Sequence, residues 1–279
     1  MSAHHAENFP VASIFLPKKL RRAITNIYRF ARSADDVADE GNDSDQVRLQ
    51  RLAQYRQALY ELAHPQQTKT YRNHGLGDIF DPLALTIRDH QLALTPFLDL
   101  LSAFEQDISQ HRYTDYKALE KYCQQSANPI GRLMLHLYES TDAQSLRESD
   151  AICTALQLIN FWQDVAIDWR KGRIYLPLDE MARFGVTQTA VACSNNNAAW
   201  QALMKFQVDR SRALLNSGVA LGSRLKGRIG FELRMIIQGG LLILHKIEAV
   251  QYDVFYHRPT LRAADWVRIF WRALFKHET

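Results

Sequence analysis

Residues 33–40 read SADDVADE, and residues 161–169 read FWQDVAIDW. Each stretch carries two aspartates four positions apart, Asp35 with Asp39 and Asp164 with Asp168. On a helix such residues lie one turn above each other on one face, so each pair is a two-toothed carboxylate clamp. Tyr28 and Arg32 fall on the first row, while Gln157 and Asn160 extend the second into a line of oxygen-bearing side chains. A solvated helix face usually mixes lysine with its acids, because opposite charges support one another at this spacing. The second row has no lysine, and Ile159, Phe161, Trp162, Val165 and Trp169 flank it. The pattern predicts rows that face a cavity rather than bulk water.

Carboxylates gathered in a low-dielectric space repel one another and take up protons unless cations compensate. Mg2+ is the natural cation: it prefers oxygen ligands and is held by one or two carboxylates while substrate phosphates fill its other positions. Two acid pairs brought together through such ions would bind a diphosphate. One DxxxD alone is an ordinary surface pair. Two copies within apolar helices, one preceded by Arg32 and the other followed by KGRIYLP, are more than surface charge.

The elements that must carry these rows are helices. Leu20, Ile24, Ile27, Ala31, Ala34 and Ala38 recur in steps of three and four, which predicts a helix from Pro17 to near Gly41. Similar patterns predict helices over 45–63, 77–91, 95–110, 115–138, 147–170, 198–221, 226–251 and 260–276. Glycine (12) and proline (8) are scarce, and no alternating run repeats at strand spacing. The expected fold is all-α, one domain over residues 1–279, with polar breaks at HPQQTKTYRNHGLGD, at 170–187 and at CSNNN.

Composition narrows the function. Hydrophobic residues at 47% argue against disorder, and three scattered cysteines without a CxxC pair suit a reducing compartment, hence the cytoplasm. A net charge of +4 with no nucleic-acid module fits an anionic small molecule or lipid surface better than DNA or RNA. Nor is there a GxGxxG fingerprint for NAD(P)H. ELAH at 61–64 has the ExxH spacing of di-iron bundles but occurs once, which reads as a helix end. WVRIFWRALFKH at 266–277 sets Arg268, Arg272 and Lys276 beside an aromatic side of Trp266, Ile269, Phe270, Ala273 and Leu274. Such a helix either lies on an anionic membrane or packs on the protein's own body.

The stretches FPVASIFLPKKLRRAITNIYRFARSADDVADE, YCQQSANPIGRLML, QLINFWQDVAIDWRKGRIYLP and ILHKIEAVQYDVFYHRP resemble the squalene and phytoene synthase family. That resemblance implies an isoprenoid-synthase helical fold around a central cavity. It also implies Mg2+ held by Asp35, Asp39, Asn160, Asp164 and Asp168. It places His5, Phe9, Tyr28, Arg32, Gln157 and Arg173 against the diphosphate or the first isoprene units. Two positions depart from the family. Gln163, expected near the diphosphate, stands where an arginine is usual, and Gly240 stands where many members have a tyrosine. With ENFPVAS, NFWQDVAIDW and YDVF they match a branch that takes presqualene diphosphate and lets water capture the rearranged cation without a nicotinamide, giving hydroxysqualene for bacterial hopanoids.

Overall fold

The computed structural model describes residues 18–64, 66 and 68–275. His5, Phe9 and Lys276 therefore lie outside the described residues, within which every regular element is helical. The helices are α1 (Lys18–Asp39), α2 (Asp45–Ala63), α3 (Gly77–His90), α4 (Thr95–Ser109), α5 (Tyr116–Ser126), α6 (Asn128–Leu137) and α7 (Ala143–Arg170). They continue as α8 (Leu178–Arg183), α9 (Gln188–Ala192), α10 (Ala198–Ser217), α11 (Val219–Arg224), α12 (Gly227–Ala249) and α13 (Ala263–Phe275), with a 3-10 turn at Thr70–His74. The described chain gathers into two compact units, one of residues up to 111 with 120–146, the other of 112–119 with the residues from 147 on.

In the first unit α1 buries Leu20, Ala23, Ile24, Ile27, Phe30, Ala34 and Ala38. This is the apolar stripe read from the sequence, except that Phe30 rather than Ala31 reaches the core. Phe30 meets Phe80 and Phe97 edge-on at 5.8 and 5.4 Å, and Tyr55 joins them. Edge-to-face geometry aligns the ring quadrupoles, so the cluster contributes more than its buried area alone. It fixes the roll of α1 and so turns the acid row to the opposite side. Glu61 of the ELAH stretch is buried and accepts hydrogen bonds from the Thr70 hydroxyl and the Tyr71 N–H, which ties α2 to the 3-10 turn.

In the second unit Trp162 of α7 is fully buried and donates its indole N–H to Ser211 at 2.8 Å. Gly240 of α12 faces the same packing. A Cβ there would lie 3.0 Å from Leu156 Cδ2, 3.1 Å from Leu215 Cδ2 and 3.3 Å from Ile159 Cδ1. Residue 240 thus lets α12 approach the leucines of α7 and α10, and it has no room for a tyrosine. The departure at 240 coincides with this close packing of α12 on α7 and α10.

Helix α13 divides the apolar face read from its sequence. Ile269 and Ala273 are buried, so one side of α13 does pack on the unit's own body. The exposed apolar side is Val267, Phe270, Trp271, Leu274 and Phe275, at spacings of i, i+3, i+4, i+7 and i+8. No helix among the described residues is long and apolar enough to cross a membrane.

Candidate active site

Arg32 fans across the first row, with its guanidinium 2.8 Å from Asp36, 3.4 Å from Asp35 and 3.2 Å from Glu40. Burial works to lower the Arg32 pKa, yet Asp36, Asp35, Glu40 and Tyr28 hold it above its ordinary value. Partial burial, with Glu40 and Asp39 nearby, pushes the Asp36 carboxyl up even against the pull of Arg32. So Tyr28, Arg32, Asp35 and Asp39 do share one electrostatic neighbourhood. The side chains of Arg32 and Asp35 keep 37% and 38% of their surface, however, so the row is half-open and not shut away from water.

On α7 the flanking residues Ile159, Phe161, Trp162 and Val165 turn into the body, leaving Gln157, Asp164 and Asp168 half-buried and Asn160 exposed. Here too the row opens outward, because helical periodicity sends the apolar flank inward. Asp164 is the most enclosed of the measured acids of the two motifs, with 17% of its side-chain surface left. Both of its oxygens are taken by one guanidinium: Arg258 donates from Nε to Oδ1 and from Nη2 to Oδ2, the latter at 3.2 Å. A planar fork on a carboxylate is the strongest ordinary ion-pair geometry.

Beyond Asp168 the helix ends at Arg170 and the chain turns at Gly172, whose φ of +76° suits a glycine. The turn folds back so that the Arg173 N–H donates to the Asp168 carbonyl at 2.8 Å. Arg173 and Asp168 then line one small cavity of about 10 Å³ with Phe161 and Tyr175, whose rings stack 3.7 Å apart. Arg112 braces this turn, donating to the Gly172 carbonyl and lying over the Trp169 ring.

Gln163 departs from its expected place near a diphosphate. It retains 1% of its surface, and its amide donates to the Pro259 carbonyl. Its angular position on α7 puts it on the inward side, next to Trp162, and not on the row of Asn160 and Asp164. Arg258 is the residue that sequence reasoning missed. It stands in the HRP of a stretch already noted for its resemblance, but its target is 94 residues away.

Among the described residues no three His, Cys, Asp or Glu side chains converge to hold a metal alone. The donors nevertheless suit a hard cation: they are carboxylates and amides, Asp35 and Asp164 already face positive charge, and magnesium completes its shell with substrate phosphates.

The described elements are helices carrying two arginine-backed DxxxD rows, and comparison with solved structures identifies the arrangement as the all-α isoprenoid-synthase fold. The chain belongs to the squalene/phytoene synthase family, whose profile matches residues 2–265. It is 34% identical to the hydroxysqualene synthase of Zymomonas mobilis over 84% of this chain and 76% of that protein. It is 28% identical to the phytoene synthase of Arthrospira platensis over 92% and 85% of the two chains. Among solved structures, the squalene synthase HpnC from Alicyclobacillus acidocaldarius superposes with a TM-score of 0.80 at 33% identity, covering 89% of this chain and 90% of that one. A dehydrosqualene synthase does so at 0.76 with 21% identity, over 93% and 88%. The chain is thus an enzyme of the squalene and phytoene synthase class.

Proposed function

We propose that this enzyme is a hydroxysqualene synthase, converting presqualene diphosphate and water to hydroxysqualene and diphosphate. The observation that carries the reading is the pair of acid motifs, each faced by an arginine, in a chain similar to hydroxysqualene synthases. Asp35, Asp39, Asn160, Asp164 and Asp168 would hold magnesium, which when bound supplies Lewis-acid charge to the departing diphosphate.

The chain's own groups do the rest. Arg32 and Arg173 stand beside the acid motifs, where they would draw off charge as the carbon–oxygen bond lengthens. Arg258, once exchanged from Asp164, is a third cation for the same oxygens. Tyr28 and Gln157 lie on the two rows and would orient the diphosphate and the first isoprene unit. Phe161 and Tyr175, stacked on each other and nearly buried beside Asp168 and Arg173, would wall that side of the second motif. They also exclude stray water while the carbon skeleton rearranges. Lipid analysis after separate incubation with Mg2+ and presqualene, farnesyl or geranylgeranyl diphosphate tests the reading. Hydroxysqualene from presqualene diphosphate alone supports it. Presqualene diphosphate, squalene or phytoene formed from the prenyl diphosphates assigns the chain to a head-to-head prenyl transferase instead, and no turnover would make it a non-catalytic helical lipid-binding or scaffold protein.

The exposed stripe of α13 supports a further part of the proposal: peripheral docking on an anionic membrane, where substrate and product both reside. Val267, Phe270, Trp271, Leu274 and Phe275 would enter the interface while Arg268, exposed beside them, meets lipid phosphates. Co-sedimentation with phosphatidylglycerol vesicles should be lost in Trp271→Ser/Phe275→Ser, and unchanged binding would remove α13 as the anchor.

A further inference from the structure

Gln163 holds the carbonyl of Pro259, the residue that follows Arg258. Pro259 is buried, and its carbonyl receives the Gln163 amide, so a polar atom that would otherwise be stranded in the core is satisfied. Both sides of this turn are tied down as well. Ahead of it, Asp253 holds the His257 ring at 3.1 Å and the Tyr256 N–H at 3.4 Å. Behind it, Lys246 donates to the Thr260 carbonyl at 2.9 Å and pairs with Asp265. With its backbone fixed, Arg258 has a short set of rotamers in which its fork reaches both oxygens of Asp164. An arginine at 163, the usual family residue, would set a second guanidinium next to this one. Glutamine donates the same kind of hydrogen bond without the charge.

We propose that Gln163 is a positioning residue. By holding the Pro259 carbonyl it seats Arg258 on Asp164, so that divalent metal reaches the second acid motif only in competition with a built-in counter-ion. The inference rests on the reading that Asp164 binds divalent metal, and it assigns Gln163 no contact with substrate.

Mn2+ titration of the full chain, followed by the electron paramagnetic resonance of the free ion, tests it without turnover, with a thermal melt of each variant as the folding control. Arg258→Gln should bind Mn2+ about tenfold more tightly, as expected when one competing charged hydrogen-bond pair is lost. Gln163→Met, which keeps the volume but not the amide, should tighten binding by about threefold. Gln163→Asn, which only retracts the amide, should shift it the same way by less. Gln163→Met/Arg258→Gln should bind no more tightly than Arg258→Gln alone, because both act through one contact. A purely structural Gln163 would lower the melting temperature and leave Mn2+ affinity unmoved, and that result, or additive effects, overturns the proposal. Absence of Mn2+ binding by the wild type both without and with inorganic diphosphate, or binding indifferent to Asp164→Asn, would instead overturn the metal reading beneath it.

Discussion

The two acid motifs share a spacing but not a setting. On α1 the counter-ion is local: Arg32 lies three and four residues before Asp35 and Asp36, and the fan stays half-exposed. On α7 the counter-ion is Arg258, brought by tertiary structure to a carboxylate with less than half the exposure of Asp35. A local, half-open pair costs little to break and is easily rearranged by a ligand, whereas a remote, enclosed pair is part of the fold and must be exchanged. The first motif is therefore primed by its own helix and the second by the rest of its unit.

The largest effect that can break this contrast comes from removing either first acid. On the proposed function, Asp35→Ala and Asp164→Ala should each lower turnover by at least about 100-fold, since each would take away an anchor for the charge that stabilises the leaving group. Their stabilities should differ: Asp35→Ala stays within about 1 kcal/mol of wild type. Asp164→Ala strands Arg258 and should cost about 1–3 kcal/mol. Urea melts beside activity assays check both, and equal stability losses would dissolve the distinction.

Gly240→Tyr comes next. Packing an aromatic ring against Leu156, Leu215 and Ile159 should cost about 3 kcal/mol or more and give little folded protein, whereas Gly240→Ala should cost about 1–2 kcal/mol. A stable, active tyrosine variant would return residue 240 to the site. Asp168→Ala should be milder than Asp164→Ala, about tenfold in turnover. Asp168 sits at the end of α7 by Arg173, where a neighbouring water can replace one oxygen.

The smallest effect is a pH dependence in the first unit. Burial alone would raise the Glu61 carboxyl, but the Thr70 hydroxyl, the Gln57 amide and the Tyr71 N–H hold it below its ordinary value. A depressed folded value means that its contribution is fully present above the unfolded value of about 4.3 and disappears as pH falls through the lower folded value. The stability margin of wild type over Glu61→Gln, read from melts at about pH 6 and about pH 3, should shrink on acidification. A constant margin would show that Glu61 is not held as the anion.

The same local and remote distinction decides what could be read from the sequence. The row of α1, its buried stripe and the bounds of α2 follow from residues within a few turns of one another, and the structure places them where the periodicity does. The expected helix over 115–138 is in fact two, because Asn128 and Pro129 restart the chain as α6. α7 begins at Ala143, earlier than periodicity suggested, because Asp142 accepts from the N–H groups of Gln144 and Ser145. The long pattern over 198–221 breaks at Gly218, where even a Cβ would strike Ile152 and the Glu148 carbonyl. α8 and α9 are too short to show a period, and α8 is instead held by hydrogen bonds from Leu178 and Asp179 to the Tyr113 and Thr114 carbonyls. Of the site, the aspartates and Arg32 were legible because their chemistry is written at helical spacing. The inward turn of Gln163 and the pairing of Arg258 were not, because both depend on where residues 256–262 come to rest.

The central claim is that water ends the reaction. Presqualene diphosphate incubated with the enzyme and Mg2+ in water enriched in ¹⁸O, with and without NADPH, tests it by mass spectrometry of the extracted lipid. Hydroxysqualene carrying one ¹⁸O, formed at the same rate whether or not NADPH is present, is the result predicted. Squalene that appears only with NADPH, or an alcohol without label, would contradict it.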